Sequence, residues 1–309
     1  MPLLIKGGAL KRVPSCIRDF FNKYNHFKDE VVSKRSQPVS KVGAQGLLYV
    51  LQREYAGTAP EDDVISVLGS EDATTCHIVI IRHTGSGATS LGHFDGCDTE
   101  SAVRDMVKLV TNLSEGKMNG RIEVHMYGGF IDDQNTSAEL SLSLLDALHK
   151  QPEDIHLMTA CITDLNDEVR GGIHWPVFYG VAVNVKTGET FKASFPDKGP
   201  DIPLRAGTHF TGMEEMMNMY DMERKLLKIG PFSYGPFPYI DRLLLLPDEY
   251  YRMHLSTSPA QEPSGFEADV RKTLEQIKNH PDPMKTVFID GKPRFYKKEK
   301  DGNWVRVDG

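Results

Sequence analysis

The stretch DATTCHIVIIRHTGSGATSLGHFDG, residues 72–96, carries the side chains of this 309-residue chain best suited to nucleophilic chemistry. Cys76 heads a strand-like run and His93 stands near the end of the next one. A thiol and an imidazole within reach can form a thiolate–imidazolium pair, which lowers the thiol pKa and makes sulfur nucleophilic near neutral pH. Amide and ester carbonyls are the natural targets. A lone strand cysteine is otherwise most often a small buried hydrophobe, so the question is whether the fold puts both side chains on one face.

Strand parity bears on it. If the hairpin turns on Gly85 and Ser86, Ile78 lies opposite His93 and Cys76 is one diagonal step away. If it turns on Thr84 and Gly85, Cys76 lies directly opposite His93. Either register puts thiol and imidazole on one face, with Cβ atoms roughly 4.5–8 Å apart, and a one-residue slip would separate them. His77 and His83 then point to the other face, which singles out His93 as the base. A metal reading would recruit Cys76, His77, His93 and Cys97, but their spacing matches no familiar zinc pattern and Cys76 and His77 point apart along a strand.

The elements that must position this pair read as a mixed, alternating chain. Residues 17–32 have a rough helical pattern, and SKRSQPVS reads as a polar connector. GLLYVLQREY and DDVISVLGS are compact apolar runs consistent with strands. After the hairpin, Asp98 can cap a helix whose Val103, Met106, Val107, Val110 and Leu113 form one stripe. RIEVHMYGGF reads as a strand ending in Gly128 and Gly129, a pair that either lets backbone approach the site or ends the strand tightly. Thr136 and Glu139 have capping-box spacing for a second helix. DIHLMTACITDLN gives a strand, and PVFYGVAVNVKTGETFKASF gives a hairpin turning at 186–188. IGPFSYGPFPYIDR reads as a packed loop, residues 265–279 as an amphipathic helix, and TVFIDGKPRFYKKEKDGNWVRV as a three-stranded meander with turns at 290–291 and 301–302.

Composition narrows the function classes. The formal net charge of −7 and a pI of about 5.9 disfavour a nucleic-acid partner, which needs clustered Lys and Arg. No apolar run reaches the ~18 residues of a membrane span and the start is too short for a signal-peptide core, so a cytoplasmic, possibly nuclear, protein is expected. Four cysteines without CxxC spacing are expected to be free thiols. A single body is the default, and a monomer is expected.

The stretch VLGSEDATTCHIVIIRHTGSGATSLGHFDG, with RIEVHMYGGF and FYGVAVNVKTGETFKASF, resembles the core of the chemotaxis-receptor glutamine deamidases, which share a Cys–His sandwich with the cytotoxic necrotizing factor toxins. Over nearly its whole length, through QGLLYV, EDATTCHIV, SFPDKGP, IGPFSYGPFPY and LSTSPAQEP, the chain is similar to the protein N-terminal asparagine amidohydrolases. The resemblance implies an α+β fold, a deamidase-like β-sandwich flanked by helices over about 44–195, with a C-terminal helix and meander over about 196–309, all in one domain. It implies Cys76 as nucleophile, His93 as base, and a hydroxyl upstream of the cysteine that orients the histidine. Ser70, six positions before Cys76, matches best, with Thr74 and Thr75 as competitors.

The implied reaction converts the side-chain amide of an N-terminal Asn to Asp with release of ammonia, requires no metal or organic cofactor, and feeds the N-degron pathway. Backbone N–H groups around Thr75 and Cys76 would hold the oxyanion. The partners are proteins or peptides with a free N-terminal Asn, whose α-ammonium calls for a carboxylate. Glu71, Asp72, Asp95, Asp132 and Asp133 are the candidates. Two rivals remain: a deamidase of internal glutamines with the same dyad, and a non-catalytic adaptor that binds N-terminal residues.

Overall fold

The computed structural model describes residues 3–116, 119–210, 212–235 and 237–308. Its frame is a pair of mixed sheets. The larger has eight strands in the order Met217–Asn218, Glu54–Thr58, Thr89–Phe94, His77–His83, Ile122–Gly128, Ile155–Ile162, Leu4–Ile5 and Gly8–Ala9. The smaller has five, in the order Ser40–Lys41, Thr190–Ser194, Val181–Asn184, Val67–Ser70 and Leu47–Tyr49. Helices and strands are mixed as an α+β chain requires.

The central strand His77–His83 is apolar on both faces, as a strand covered on both sides must be. Ile78 and Ile80 face inward with Leu91, packing against Leu68, Val181 and Val183 of the smaller sheet. Val79 and Ile81 face outward, under the helices Thr99–Leu113 and Thr136–His149. The first of these helices buries Ala102, Val103, Met106, Val107 and Val110 along one stripe. Each such side chain contributes about 1.5–3 kcal/mol by leaving water. Along Ile155–Ile162 an irregularity between Leu157 and Thr159 shifts the alternation by one, so that Leu157 and Ala160 both face the helices.

Several local expectations change. Residues 17–32 form two helices, Ile17–Lys23 and His26–Arg35, and the second takes in the first three residues of the expected connector. The run GLLYVLQREY is cut by Arg53 at φ 62°, and its halves join different sheets. Asp98 occupies the cap position at φ 50° but makes no side-chain cap; its carboxylate accepts from the Met216 amide instead. Thr136 lies inside its helix rather than capping it. The carboxylate of Asp132 does that work, accepting from the Thr136 and Ser137 amides at 2.9 Å each. The C-terminal meander has two strands of its own, Arg294–Lys298 and Trp304–Val307, and pairs with Leu226–Ile229 from upstream. The segment expected as its first strand is helical at Pro283–Thr286 and Ile289–Gly291, with Val287 and Phe288 buried between.

Other expectations hold: the hairpin between Val181–Asn184 and Thr190–Ser194, the helix Phe266–Asn279, and irregular chain at 230–235 and 237–239 that buries Phe232, although the end of the expected loop enters the helix Ile240–Leu244. Among the described residues no helix is long and apolar enough to cross a membrane.

Candidate active site

Strands His77–His83 and Thr89–Phe94 pair with Ile78 opposite His93, the register of a turn on Gly85 and Ser86. Cys76 stands one residue before the first strand and belongs to the same inward-facing cluster as Ile78. His93 faces inward too, since its Nδ1 lies 2.7 Å from Ser70 Oγ at the end of Val67–Ser70 in the opposite sheet. Cys76, His93 and Ser70 are all buried. His77 and His83 point the other way: His77 Nε2 meets Ser141 Oγ of the covering helix at 2.7 Å, and His83 Nδ1 meets Ser86 Oγ at 2.9 Å.

The competitors of Ser70 are placed elsewhere. Thr75 Oγ1 lies 2.9 Å from Thr257 Oγ1, so the residue before Cys76 touches a loop from the C-terminal third. No partner is recorded for the Thr74 hydroxyl among the described residues, but Ser70 is the one that meets the histidine. The Thr75 and Cys76 amides have no acceptor among the described residues, which leaves two donors beside the sulfur. Behind it the chain is close: a Cβ on Gly128, at φ 111°, would sit 2.4 Å from the Cys76 carbonyl oxygen, and the Gly129 amide donates to that oxygen at 2.9 Å. The glycine pair therefore admits backbone directly against the backbone of Cys76.

Electrostatics alter one expectation. Burial pushes the Cys76 thiol up, the charges of Asp95 and Glu262 push it further, and the Arg53 guanidinium opposes them. Burial lowers His93 to about 3, against the pull of Asp95. Both shifts disfavour the charged form of each group. His93 Nε2 is buried and unpartnered. With Nδ1–H donating to Ser70 Oγ, the tautomer assigned here, Nε2 holds a free lone pair on the face that Cys76 shares.

The five carboxylates near the hairpin are mostly occupied. Lys198 holds Glu71 at 3.0 Å and Asp72 at 2.5 Å, and Glu71 also accepts from the Phe195 amide. Asp95 accepts from Arg53 Nε at 2.6 Å, Gln52 Nε2 at 2.7 Å and the Cys97 amide at 3.0 Å. Asp132 caps its helix and bears on His77, on the side away from the sulfur. Asp133 is exposed.

A family model described as protein N-terminal asparagine amidohydrolase matches residues 37–306, a span that contains every residue just described from Ser70 to Glu262. The chain belongs to the protein N-terminal asparagine amidohydrolase family. It is 45% identical to the human protein N-terminal asparagine amidohydrolase over 307 residues, covering 99% of this chain and 98% of that one. The mouse protein of the same name gives the same identity and coverage. The Arabidopsis thaliana protein of that name is 27% identical over 84% of this chain and 80% of its own.

One residue that this amidohydrolase family member brings to the site has no signal in the hairpin's sequence. Glu262 lies in the segment LSTSPAQEP, on the loop that also carries Thr257. Several bonds hold that loop: Arg252 donates to the Pro259 and Glu262 carbonyls at 3.1 Å, Gln261 Nε2 to the His174 carbonyl at 2.7 Å, and Tyr179 Oη to the Gln261 carbonyl. Burial raises the Glu262 carboxyl, the Ser256 hydroxyl that bonds it lowers it, and the charge of Asp72 raises it again. The residues quoted for the resemblance include this segment, but nothing in its spacing relative to Cys76 could reveal that Thr257 meets Thr75.

Proposed function

We propose that the chain hydrolyses the side-chain amide of an N-terminal asparagine, releasing ammonia and leaving N-terminal aspartate, through a thioester on Cys76. One observation carries the reading: His93 is oriented by Ser70 through Nδ1, and its unpartnered Nε2 lies on the face shared with Cys76. The family membership and the names of the relatives agree with it.

The chemistry starts from the neutral dyad. As sulfur attacks the amide carbon, His93 Nε2 takes the thiol proton, and the C–S bond forms as the carbonyl π electrons move to oxygen. The Thr75 and Cys76 amides are the donors for that oxyanion. The proton on Nε2 then passes to the departing nitrogen, ammonia leaves, and a thioester remains. Water attacks next, giving a proton to His93. The C–S bond breaks, sulfur recovers the proton held on His93, and the carboxylic acid is released and gives its own proton to ammonia in solution. Ser70 keeps the imidazole in one tautomer throughout. The product, a protein beginning with Asp, is the form that the N-degron pathway would receive.

Matched peptides beginning with Asn, Gln and acetyl-Asn test this reading by ammonia release. A nucleophile fixed at a strand end selects the reach of its substrate, since one added methylene moves the carbonyl by about 1 Å and a misplacement of that size costs about a hundredfold. Asn peptides should react, Gln peptides poorly and acetyl-Asn peptides hardly at all. Cys76→Ala should abolish release, while Cys16, Cys97 and Cys161 are dispensable to the chemistry. Comparable rates on all three peptides would overturn the terminal specificity. A mass shift at an internal Gln would favour the glutamine deamidase, and binding without ammonia release would favour the adaptor.

A further inference from the structure

The turn that carries Cys76 crosses between the sheets, leaving the smaller at Ser70 and entering the larger at His77. It is gripped near both ends. The Ala73 amide donates to the Tyr179 carbonyl at 3.0 Å, on the chain that leads into Val181–Asn184 of the smaller sheet. The Gly129 amide donates to the Cys76 carbonyl at 2.9 Å, just past the end of Ile122–Gly128 in the larger. One side chain joins the two grips. Asn166 is fully buried, and its Oδ1 accepts from the Phe178 amide at 2.8 Å. Its Nδ2 donates to the Gly129 carbonyl at 2.7 Å and to the Phe178 carbonyl at 3.4 Å. These partners fix the orientation of the carboxamide, since a backbone N–H must meet the oxygen and a carbonyl the nitrogen.

The result is a closed ring. From Ala73 it runs through Thr74, Thr75 and Cys76, across to Gly129, through Asn166 to Phe178 and Tyr179, and back to Ala73. The backbone of Asn166 is held as well, its amide donating to the Thr163 carbonyl and its carbonyl accepting from the Val177 amide, so the side chain starts from a fixed point. Two members of the ring, the Thr75 and Cys76 amides, have no acceptor among the described residues.

We propose that Asn166 is a positioning residue for the reaction, holding the Thr75 and Cys76 amides where the oxyanion forms. The inference rests on the reaction proposed above. Donors stabilise an oxyanion well only when they are fixed before the charge develops, and a misplacement of about 1 Å can cost about a hundredfold in rate. Neither amide is anchored by a bond of its own. The ring therefore fixes them, with Thr257 adding a contact to the Thr75 side chain from outside it. A carboxamide suits the position because it offers an acceptor to Phe178 and a donor to Gly129 at once.

Asn166→Asp and Asn166→Ser test this by ammonia release from an Asn peptide. The first keeps the shape and the acceptor but sets an oxygen against the Gly129 carbonyl, and the second shortens the side chain. In each, kcat should fall by about a hundredfold with KM within about threefold of wild type, because the loss falls on the transition state. Val107→Ala is the control for lost stability, since it cuts the helix stripe on the side of the larger sheet away from Cys76. Measured well below its melting temperature, it should keep the wild-type kcat. A merely structural role for Asn166 would give the result of the control, and an unchanged kcat in the folded Asn166 variants would overturn the inference.

Amide hydrogen exchange reads the ring without the reaction. In Asn166→Ser the Ala73 and Gly129 amides should exchange at least about tenfold faster than in wild type, beyond any change at Val79 of the central strand. Unchanged protection at either amide would overturn the inference. The proposed reaction fails separately, by absence of ammonia release from the wild type on Asn peptides, and the exchange measurement then still decides whether Asn166 closes the ring. If no Asn166 variant folds, wild type decides. Two amides closed in one ring should share one protection factor, and unequal protection at Ala73 and Gly129 would overturn the inference.

Discussion

Ser70 Oγ and His93 Nδ1 lie 2.7 Å apart although the two residues belong to opposite sheets. The bond therefore makes the orientation of the His93 ring depend on how the sheets are packed. Ser70→Ala should leave Nδ1 without a partner in a dry site, lowering kcat by roughly ten- to a hundredfold with little change in KM. Stability should fall by about 1–3 kcal/mol as a buried group loses its hydrogen bond. Steady-state ammonia release and urea denaturation measure the two effects. Unchanged kcat would remove Ser70 from the positioning role.

The three histidines of the hairpin separate by face. His93→Ala should slow both turnover and alkylation of Cys76 by iodoacetamide. His83→Ala should spare both, since His83 is half-buried and bonded to Ser86 on the helix side. His77→Ala leaves the base in place but removes a fully buried ring and its bond to Ser141, at a cost of about 2–4 kcal/mol. A His83→Ala protein with a silenced thiol would contradict the observed register.

Gly128 offers a test of backbone precision. An alanine there would combine a φ of 111° with a Cβ 2.4 Å from the Cys76 carbonyl oxygen. The strain should cost about 1–3 kcal/mol, and displacement of the nucleophile should cost about a hundredfold or more in kcat/KM. Thermal melting and ammonia release together distinguish displacement from unfolding. A folded Gly128→Ala protein with full activity would show that this approach is not needed.

Acid stability follows from three imidazoles, two buried at His93 and His77 and one half-buried at His125. Burial lowers His93 to about 3, and His77 and His125 to about 4 each. Between those values and the ordinary 6.5, the unfolded chain binds protons that the folded chain does not, so folding stability rises with pH across this window and is lost as pH falls through it. Each group contributes up to about 1.4 kcal/mol per pH unit. Urea midpoints measured from pH 7 to pH 5 should therefore drop, and the triple loss should shrink in His125→Asn, which removes one of the three. A flat midpoint over that range would refute the neutral burial of these rings.

Parts of this architecture are readable from residue order alone. Parity puts Cys76 and His93 on one face without choosing between the two turns, of which the structure has the one on Gly85 and Ser86, and the stripe of Val103, Met106, Val107 and Val110 follows from spacing. The link from Ser70 to His93 does not, because it crosses between sheets, and only the resemblance pointed to it. Capping was misread at Thr136 because Asp132 reaches over the cap position from outside the box. The TVFID run has strand composition, yet Val287 and Phe288 are buried from a helical turn, where tertiary packing outweighs β-propensity. Glu262 was invisible for the same reason as Ser70's partner: contact depends on how distant segments dock.

The contact between Thr75 and Thr257 has a consequence for the order in which the molecule is made. Cys76 and His93 leave the ribosome early, whereas the segment that faces them is translated near the end. At ~5–20 residues per second the sulfur waits roughly ten to forty seconds for that segment to be synthesised. Throughout that interval a nascent chain carries Cys76 and His93 without the loop that bonds Thr75. Any message that ends before residue 256 would yield the same thing permanently: Cys76 and His93 without the Thr257 contact.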